Sequence, residues 1–171
     1  TAGTSNLRLG VNAGDAIASG GNYNVVVGDE AGTAITTGDE NVAVGYNALP
    51  AATTASQNTA VGASALLSNT SGQYNSALGR EALKNNTSGA YNTAMGRTAL
   101  AANTTASNNT AFGYSALQAN TTGNQNVAVG YNAGAAITTA TVNTIIGTSA
   151  GDSLTIGNSN VAVGFESLGA E

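Results

Sequence analysis

The sequence predicts an all-β parallel β-solenoid, a β-roll of about ten rungs with one 17-residue repeat per rung. Three observations predict it. Asparagine recurs at Asn24, Asn41, Asn58, Asn75, Asn92, Asn109, Asn126, Asn143 and Asn160 in steps of 17 residues, and Asn6 keeps the register after a single extra residue near Gly20 and Gly21. Four residues after each of these stands a glycine, from Gly10 and Gly28 to Gly147 and Gly164. Between asparagine and glycine lie three β-prone residues, such as VVV at Val25 to Val27 and TAF at Thr110 to Phe112. A fixed period of this length is the mark of a stacked repeat architecture.

Numbering the repeat from its asparagine gives columns one to seventeen. Column one then stacks into an asparagine ladder, in which each side-chain amide bonds the one above and the one below. Column five, always glycine, suits a corner with positive φ or a close backbone approach. Column four is always apolar (Leu9, Val27, Val44, Val61, Leu78, Met95, Phe112, Val129, Ile146, Val163) and is expected to point into the core. Column three is then expected to face the other way, because strand side chains alternate. It is alanine at Ala43, Ala60, Ala77, Ala94, Ala111, Ala128 and Ala162. That small, uniform face suits close contact with another chain, and these alanines are the expected seam of a homotrimer. Arg8 departs from the column: three arginines on a threefold axis repel, so the first rung is expected to be splayed or capped.

Seventeen residues at about 3.3 Å each give a perimeter of roughly 56 Å, flattened into two runs of five or six residues across a gap of about 10 Å. Rungs stacked at about 4.8 Å make a rod about 45 Å long. Column thirteen adds a threonine ladder from Thr36 and Thr53 to Thr138 and Thr155. Where column nine is Leu (Leu49, Leu66, Leu83, Leu100, Leu117), column twelve is Ala52, Asn69, Asn86, Asn103 or Asn120. Where column nine is Gly (Gly14, Gly32, Gly134, Gly151), column twelve is Ile17, Ile35, Ile137 or Leu154. One bulky group per rung fills one shared hole, as a close-packed interior demands. No stretch carries a sustained 3.6-residue pattern, so SALLS, EALKN and TALAA read as the second short strand of a rung.

Residues 1–171 form one repeat domain without a linker, and a start at TAGTSN and a stop at ESLGAE, partway through a repeat, read as a piece of a longer fibrous protein. Charged residues are only 8% and the net charge is −5, which argues against a nucleic-acid partner. With no Cys and no His, zinc chemistry and imidazole catalysis are excluded within these residues. No apolar run reaches the roughly 18 residues of a membrane span, so no membrane insertion is expected. No column holds a catalytic group, and neither an enzyme nor a cofactor is expected.

Column six is the most variable position. Tyr46, Arg80, Arg97, Tyr114, Tyr131 and Phe165 form a candidate receptor-contact stripe, since aromatic faces and guanidinium forks suit sugars and carboxylates. The pairs Asp29 with Glu30 and Asp39 with Glu40 have the oxygen ligands of a Ca²⁺ site but read more simply as a solvated acidic edge, and no metal site is expected. The Asn-x-Ser/Thr triplets at Asn69, Asn86, Asn103 and Asn120 are by-products of the repeat. The threonine rows also allow an ice-binding solenoid, although their adjacent pairs, such as Thr104 and Thr105, face opposite sides of the chain.

At NTAVGASALLSNTSGQY and NTAFGYSALQANTTGNQ the chain closely resembles the 17-residue repeats of phage and viral tail-fibre proteins, often found upstream of an endosialidase-type chaperone domain. The NTAVG and NVAVG strands are also similar to those in the head domains of trimeric autotransporter adhesins. The resemblance covers Asn6 to Leu168. It implies a homotrimeric, rod-like segment on a virion, attaching it to a host-surface glycan or protein receptor. The alternative it leaves is the head of a bacterial surface adhesin.

Overall fold

Each rung of the chain spends three residues on a strand and the rest on turning back to its own start. A computed structural model describes residues 4–17 and 20–169. It contains ten short strands: β1 (Leu7–Leu9), β2 (Val25–Val27), β3 (Val42–Val44), β4 (Thr59–Val61), β5 (Ser76–Leu78), β6 (Thr93–Met95), β7 (Thr110–Phe112), β8 (Val127–Val129), β9 (Thr144–Ile146) and β10 (Val161–Val163). They form one parallel sheet in sequence order, β1 to β10. Equivalent columns pair throughout, as Val25 with Val42 and Ala60 with Ala77. The chain is therefore an all-β parallel β-solenoid. The extra residue of the first repeat falls beside Gly20, whose φ is 116°, next to residues 18–19, which lie outside the described residues.

The corner glycine is required for two reasons at once. In the β5 rung Gly79 has a φ of 133°, and a Cβ there would lie 2.6 Å from the carbonyl oxygen of Gly96 on the next rung. After the corner come two successive turns, closed by Ala82 N–H to the Gly79 carbonyl at 3.2 Å and by Asn86 N–H to the Leu83 carbonyl at 3.1 Å. These turns replace the second strand expected on this side, so that expectation is corrected. The cause is left-handed backbone at columns seven and nine, held in this rung by Glu81 (φ 60°) and Leu83 (φ 51°). Alternating signs of φ coil the chain and prevent an extended run. The stacking survives, because Leu83 N–H still reaches the Ala99 carbonyl at 3.0 Å and Glu81 N–H the Ala63 carbonyl at 3.0 Å.

Two asparagine ladders run up the interior. In the first, Asn92 Oδ1 accepts both the backbone N–H of Asn109 at 3.0 Å and its Nδ2–H at 3.3 Å. Asn92 Nδ2 meanwhile donates to the Ala106 carbonyl of its own rung at 2.8 Å. Asn24, Asn41, Asn58, Asn75, Asn92, Asn109, Asn126 and Asn143 are all buried and repeat this pattern in whole or in large part. The second ladder, in column twelve, shows in the sequence only as a volume effect. Asn86 donates to Asn69 Oδ1 at 2.8 Å, Asn103 to Asn86 Oδ1 at 2.7 Å and Asn120 to Asn103 Oδ1 at 3.2 Å. It ends where column twelve becomes Ile137, leaving the buried Asn120 Oδ1 without a hydrogen-bond donor among the described residues.

The two faces of the strand are the reverse of the sequence expectation. Column three points into the chain's own core: Ala43, Ala60, Ala77, Ala94, Ala111 and Ala128 are wholly buried and Ala162 nearly so. These alanines therefore do not form an outward seam between chains. Column four looks outward, with Leu9, Val61, Leu78, Phe112, Val129, Ile146 and Val163 all exposed. The reason is volume. A coil this thin has one space to fill per rung, and the column-nine leucines and the column-eight alanines already occupy it. The exceptions prove the point, since the large column-three residues Val26 and Ile145 sit where column nine is glycine. A Cβ on Gly32 would lie 2.5 Å from Val26 Cγ1, and one on Gly151 would lie 3.2 Å from Ile145 Cδ1.

Arg8 is accordingly aimed at its own core rather than at a threefold axis. It pairs across from Val26 and lies over the β1 end of the core, with Nε donating to the Ala13 carbonyl at 2.8 Å and a terminal nitrogen to Asp15 at 2.9 Å. Of the two outcomes expected for the first rung, splayed or capped, this side chain gives the second.

The shared hole makes a testable exchange. A Cβ on Gly134 would lie 3.1 Å from Ile137 Cδ1 and 3.2 Å from Leu117 Cδ2. Gly134→Leu alone should cost about 1–3 kcal/mol through overpacking, and Ile137→Asn alone about 2–5 kcal/mol through lost volume. Together they recreate the Leu117 and Asn120 pattern and bring a donor to Asn120 Oδ1. The double variant should recover at least half of the summed loss in urea unfolding, whereas additive losses would disprove the shared volume.

Candidate functional site

The surface with chemistry on it is the outer face of the strands and the two residues that flank each strand. Columns two and four supply the face. It is made only of Val, Leu, Ile, Met, Phe, Thr and Ser, with no charge from β1 to β10. A three-residue strand is about 10 Å long, and ten stacked strands about 45 Å high, so the face is a continuous stripe rather than a scatter of side chains. An uncharged stripe of that size, apolar throughout column four and hydroxyl-bearing at Thr59, Ser76, Thr93, Thr110 and Thr144 in column two, reaches the largest apolar patches that single soluble chains carry, roughly 300–600 Å².

Column six borders the stripe just past the corner glycine. Its expected members Tyr46, Arg80, Arg97, Tyr114, Tyr131 and Phe165 are all exposed. The structure brings three of them together. The rings of Tyr114 and Tyr131 stack at 5.3 Å with 11° between planes, the Arg97 guanidinium lies 5.7 Å from the Tyr114 ring centre, and its Nη1 donates to the Tyr114 hydroxyl at 3.3 Å. Arg80 turns aside to Glu81 at 3.0 Å. Tyr46 and Phe165 stand apart, since Ala63 and Thr148 occupy the same column on the intervening rungs.

The other border was missed. Column seventeen, just before the ladder asparagine, carries Tyr23, Tyr74 and Tyr91, all exposed. Tyr74 and Tyr91 stack face to face at 4.8 Å with 4° between planes, which matches the spacing of adjacent rungs. The signal was present as two tyrosines 17 residues apart, but the column mixes Tyr with Glu40, Gln57, Asn108 and Val142 and so shows no uniform chemistry.

The acidic pairs are separated by the same geometry. Asp29 and Glu30 follow a corner glycine while Asp39 and Glu40 precede a ladder asparagine, so the pairs flank opposite ends of the strands. Each carboxylate is engaged between rungs: Asp29 accepts the Val11 N–H at 3.0 Å, Glu30 the Asn12 side chain at 2.7 Å, Asp39 the Asn22 N–H at 2.7 Å and Glu40 the Gln57 side chain at 3.2 Å. Among the described residues no group of three possible metal-ligating side chains comes together, and no cavity opens on the rod. The threonine row is likewise turned to structural use, with Thr87 and Thr104 hydroxyls donating to the Thr104 and Thr121 carbonyls of the next rung at 3.0 and 3.1 Å. Asn69, Asn86, Asn103 and Asn120 are wholly buried, so folded chains present no glycosylation acceptor there.

Comparison with known proteins leaves the geometry to speak alone: no family model, no curated protein and no solved structure matches this chain.

The divided acidic pairs predict that millimolar Ca²⁺ shifts the unfolding temperature by less than about 1 °C, because a ligand that binds only the folded state must raise it. A rise of several degrees in a thermal melt would reveal a calcium site these positions do not form by themselves.

Proposed function

We propose that this chain is a section of a viral tail fibre, a rod built from three parallel copies that helps carry the particle to a glycan or protein on the host surface. One observation carries the reading: an uncharged stripe, with an unbroken apolar row at column four, runs along the outer face of a solenoid on which no cavity opens among the described residues. Surfaces of that kind are covered in use, and a cyclic assembly around an axis parallel to the rod covers all ten rungs at once. The buried alanines of column three cannot serve as the seam; columns two and four take that place. The resemblance of the NTAVG and NTAFG repeats to tail-fibre repeats supports the viral setting.

Stiffness is what such a part contributes. Rung-to-rung bonding by backbone, asparagine and threonine leaves few degrees of freedom along the axis, and each rung contacts only its neighbours. Host contact then falls to exposed side chains outside the seam. No chemistry beyond binding is assigned to the rod.

Light scattering on the purified protein tests the assembly, with a mass of three chains expected; a single-chain mass at micromolar concentration contradicts it. Saturating host cells with the protein should also slow adsorption of the particle that carries it, and unchanged adsorption removes the receptor role.

A further inference from the structure

At β5 and β6 the two borders of the stripe carry complementary residues, an arginine at one end of the strand and a tyrosine at the other. The residue before each ladder asparagine and the residue after each corner glycine flank the same strand at its opposite ends. At β5 these are Tyr74 and Arg80, and at β6 they are Tyr91 and Arg97. The two arginines of column six thus stand on the two strands whose other end carries the stacked tyrosine pair. At β7 and β8 the order reverses, with Tyr114 and Tyr131 facing the polar Asn108 and Gln125 across the strand. No strand carries an aromatic residue at both ends.

Within one chain these partners cannot meet. Tyr74 and Arg80 stand beyond opposite ends of β5, whose three residues alone span about 10 Å. Around a cyclic axis parallel to the rod, however, the contact between copies is heterologous, so the column-six border of one copy lies against the column-seventeen border of the next. An antiparallel arrangement would instead set each border against itself.

We propose that copies of this chain associate in parallel and without axial offset, the column-six border of one against the column-seventeen border of its neighbour. In this arrangement Arg80 and Arg97, which within one chain reach Glu81 and the Tyr114 ring, exchange those exposed contacts for Tyr74 and Tyr91 of the adjacent copy. This rests on the multi-chain fibre reading and specifies its contact surface. The partner is a second copy because the stripe repeats at the rung spacing over all ten strands, and a stack with the same spacing presents a matching period. A guanidinium held over the outer part of a tyrosine stack gains cation–π attraction, more so where the neighbouring copy excludes water. The stripe and its two borders are shared between two neighbours in a cyclic assembly. Each contact is therefore smaller than the roughly 800 Å² per partner of a standard interface and draws on all ten rungs for its strength. Column six is then an assembly border, and Arg80 and Arg97 are assembly residues rather than receptor contacts.

The test uses the absence of native cysteine. The double variant Tyr74→Cys with Arg80→Cys is oxidised and run on a non-reducing gel, beside Tyr74→Cys with Tyr131→Cys, whose second position lies three rungs away. A closed covalent species of three chains from the first pair and none from the second is expected. An intrachain bridge in the first is ruled out by the Cα separation of about 7 Å that a disulfide tolerates. Cross-linking of the offset pair, or no cross-linking of the first pair while light scattering still gives three chains, overturns the border pairing and leaves the fibre reading intact. A single-chain mass for the unmodified protein overturns both. As a second measure, Arg80→Ala with Arg97→Ala should raise the concentration for half-assembly about tenfold, and an unchanged value contradicts the proposed contact.

Discussion

The bond that everything else depends on is the one from a column-one asparagine side chain to the backbone of the next rung. At that column the chain is leaving its corner to enter the strand, and its N–H has no carbonyl opposite. Asn75 Oδ1 takes the Asn92 N–H at 3.0 Å, Asn92 Oδ1 takes that of Asn109 at 3.0 Å, and the pattern continues along the rod. Each such group left buried without a partner costs about 1–3 kcal/mol. A side chain with one acceptor and two donors is needed, because it also closes its own rung through the column-fifteen carbonyl, as Asn109 does with Gly123 at 2.9 Å. Aspartate would lose the donors and crowd like charges, while glutamine would overreach. The register of the whole solenoid follows from this one residue type.

Once rungs are locked in register, the interior becomes a set of identical thin slots, and volume governs the rest. Leucine at column nine is tolerated at φ values near 50°, as for Leu66, Leu83 and Leu100, although such backbone disfavours side chains by about 1–3 kcal/mol. Burial of the leucine offsets that strain, with each fully buried side chain contributing about 1.5–3 kcal/mol. Where the slot is filled from column three or twelve instead, glycine relieves the strain. The interior thereby consumes the small face of the strand and leaves the larger apolar one outside. The outward stripe is a consequence of thinness, and it is the surface on which the proposed assembly rests.

The period, the ten strands, the corner glycine, the first asparagine ladder and the compensation between columns nine and twelve were legible, because each depends on residue type repeating at fixed spacing. Facing was not. A strand of three residues with apolar side chains on both sides carries no alternation to read, and size alone pointed the wrong way until Val26 and Ile145 are matched with Gly32 and Gly151. The missing second strand was hidden because left-handed backbone at Glu81 and Leu83 is imposed by stacking, not by local preference. At the surface, column six lines up Tyr46, Arg80, Arg97, Tyr114, Tyr131 and Phe165, of which only Arg97, Tyr114 and Tyr131 touch one another, while the stacked Tyr74 and Tyr91 lie in a column too chemically mixed to stand out.

Amide hydrogen exchange tests the asparagine bond most directly. The backbone N–H groups of Asn58, Asn75, Asn92 and Asn109 are held by side chains, whereas that of Thr93 is held by the Asn109 carbonyl at 2.8 Å as part of the parallel ladder. If the side-chain ladder locks the rungs, these asparagine amides exchange as slowly as Thr93, through opening of whole rungs. Exchange more than about a hundredfold faster than Thr93 would mean that the side chains merely decorate a stack held by its strands, and would contradict the account.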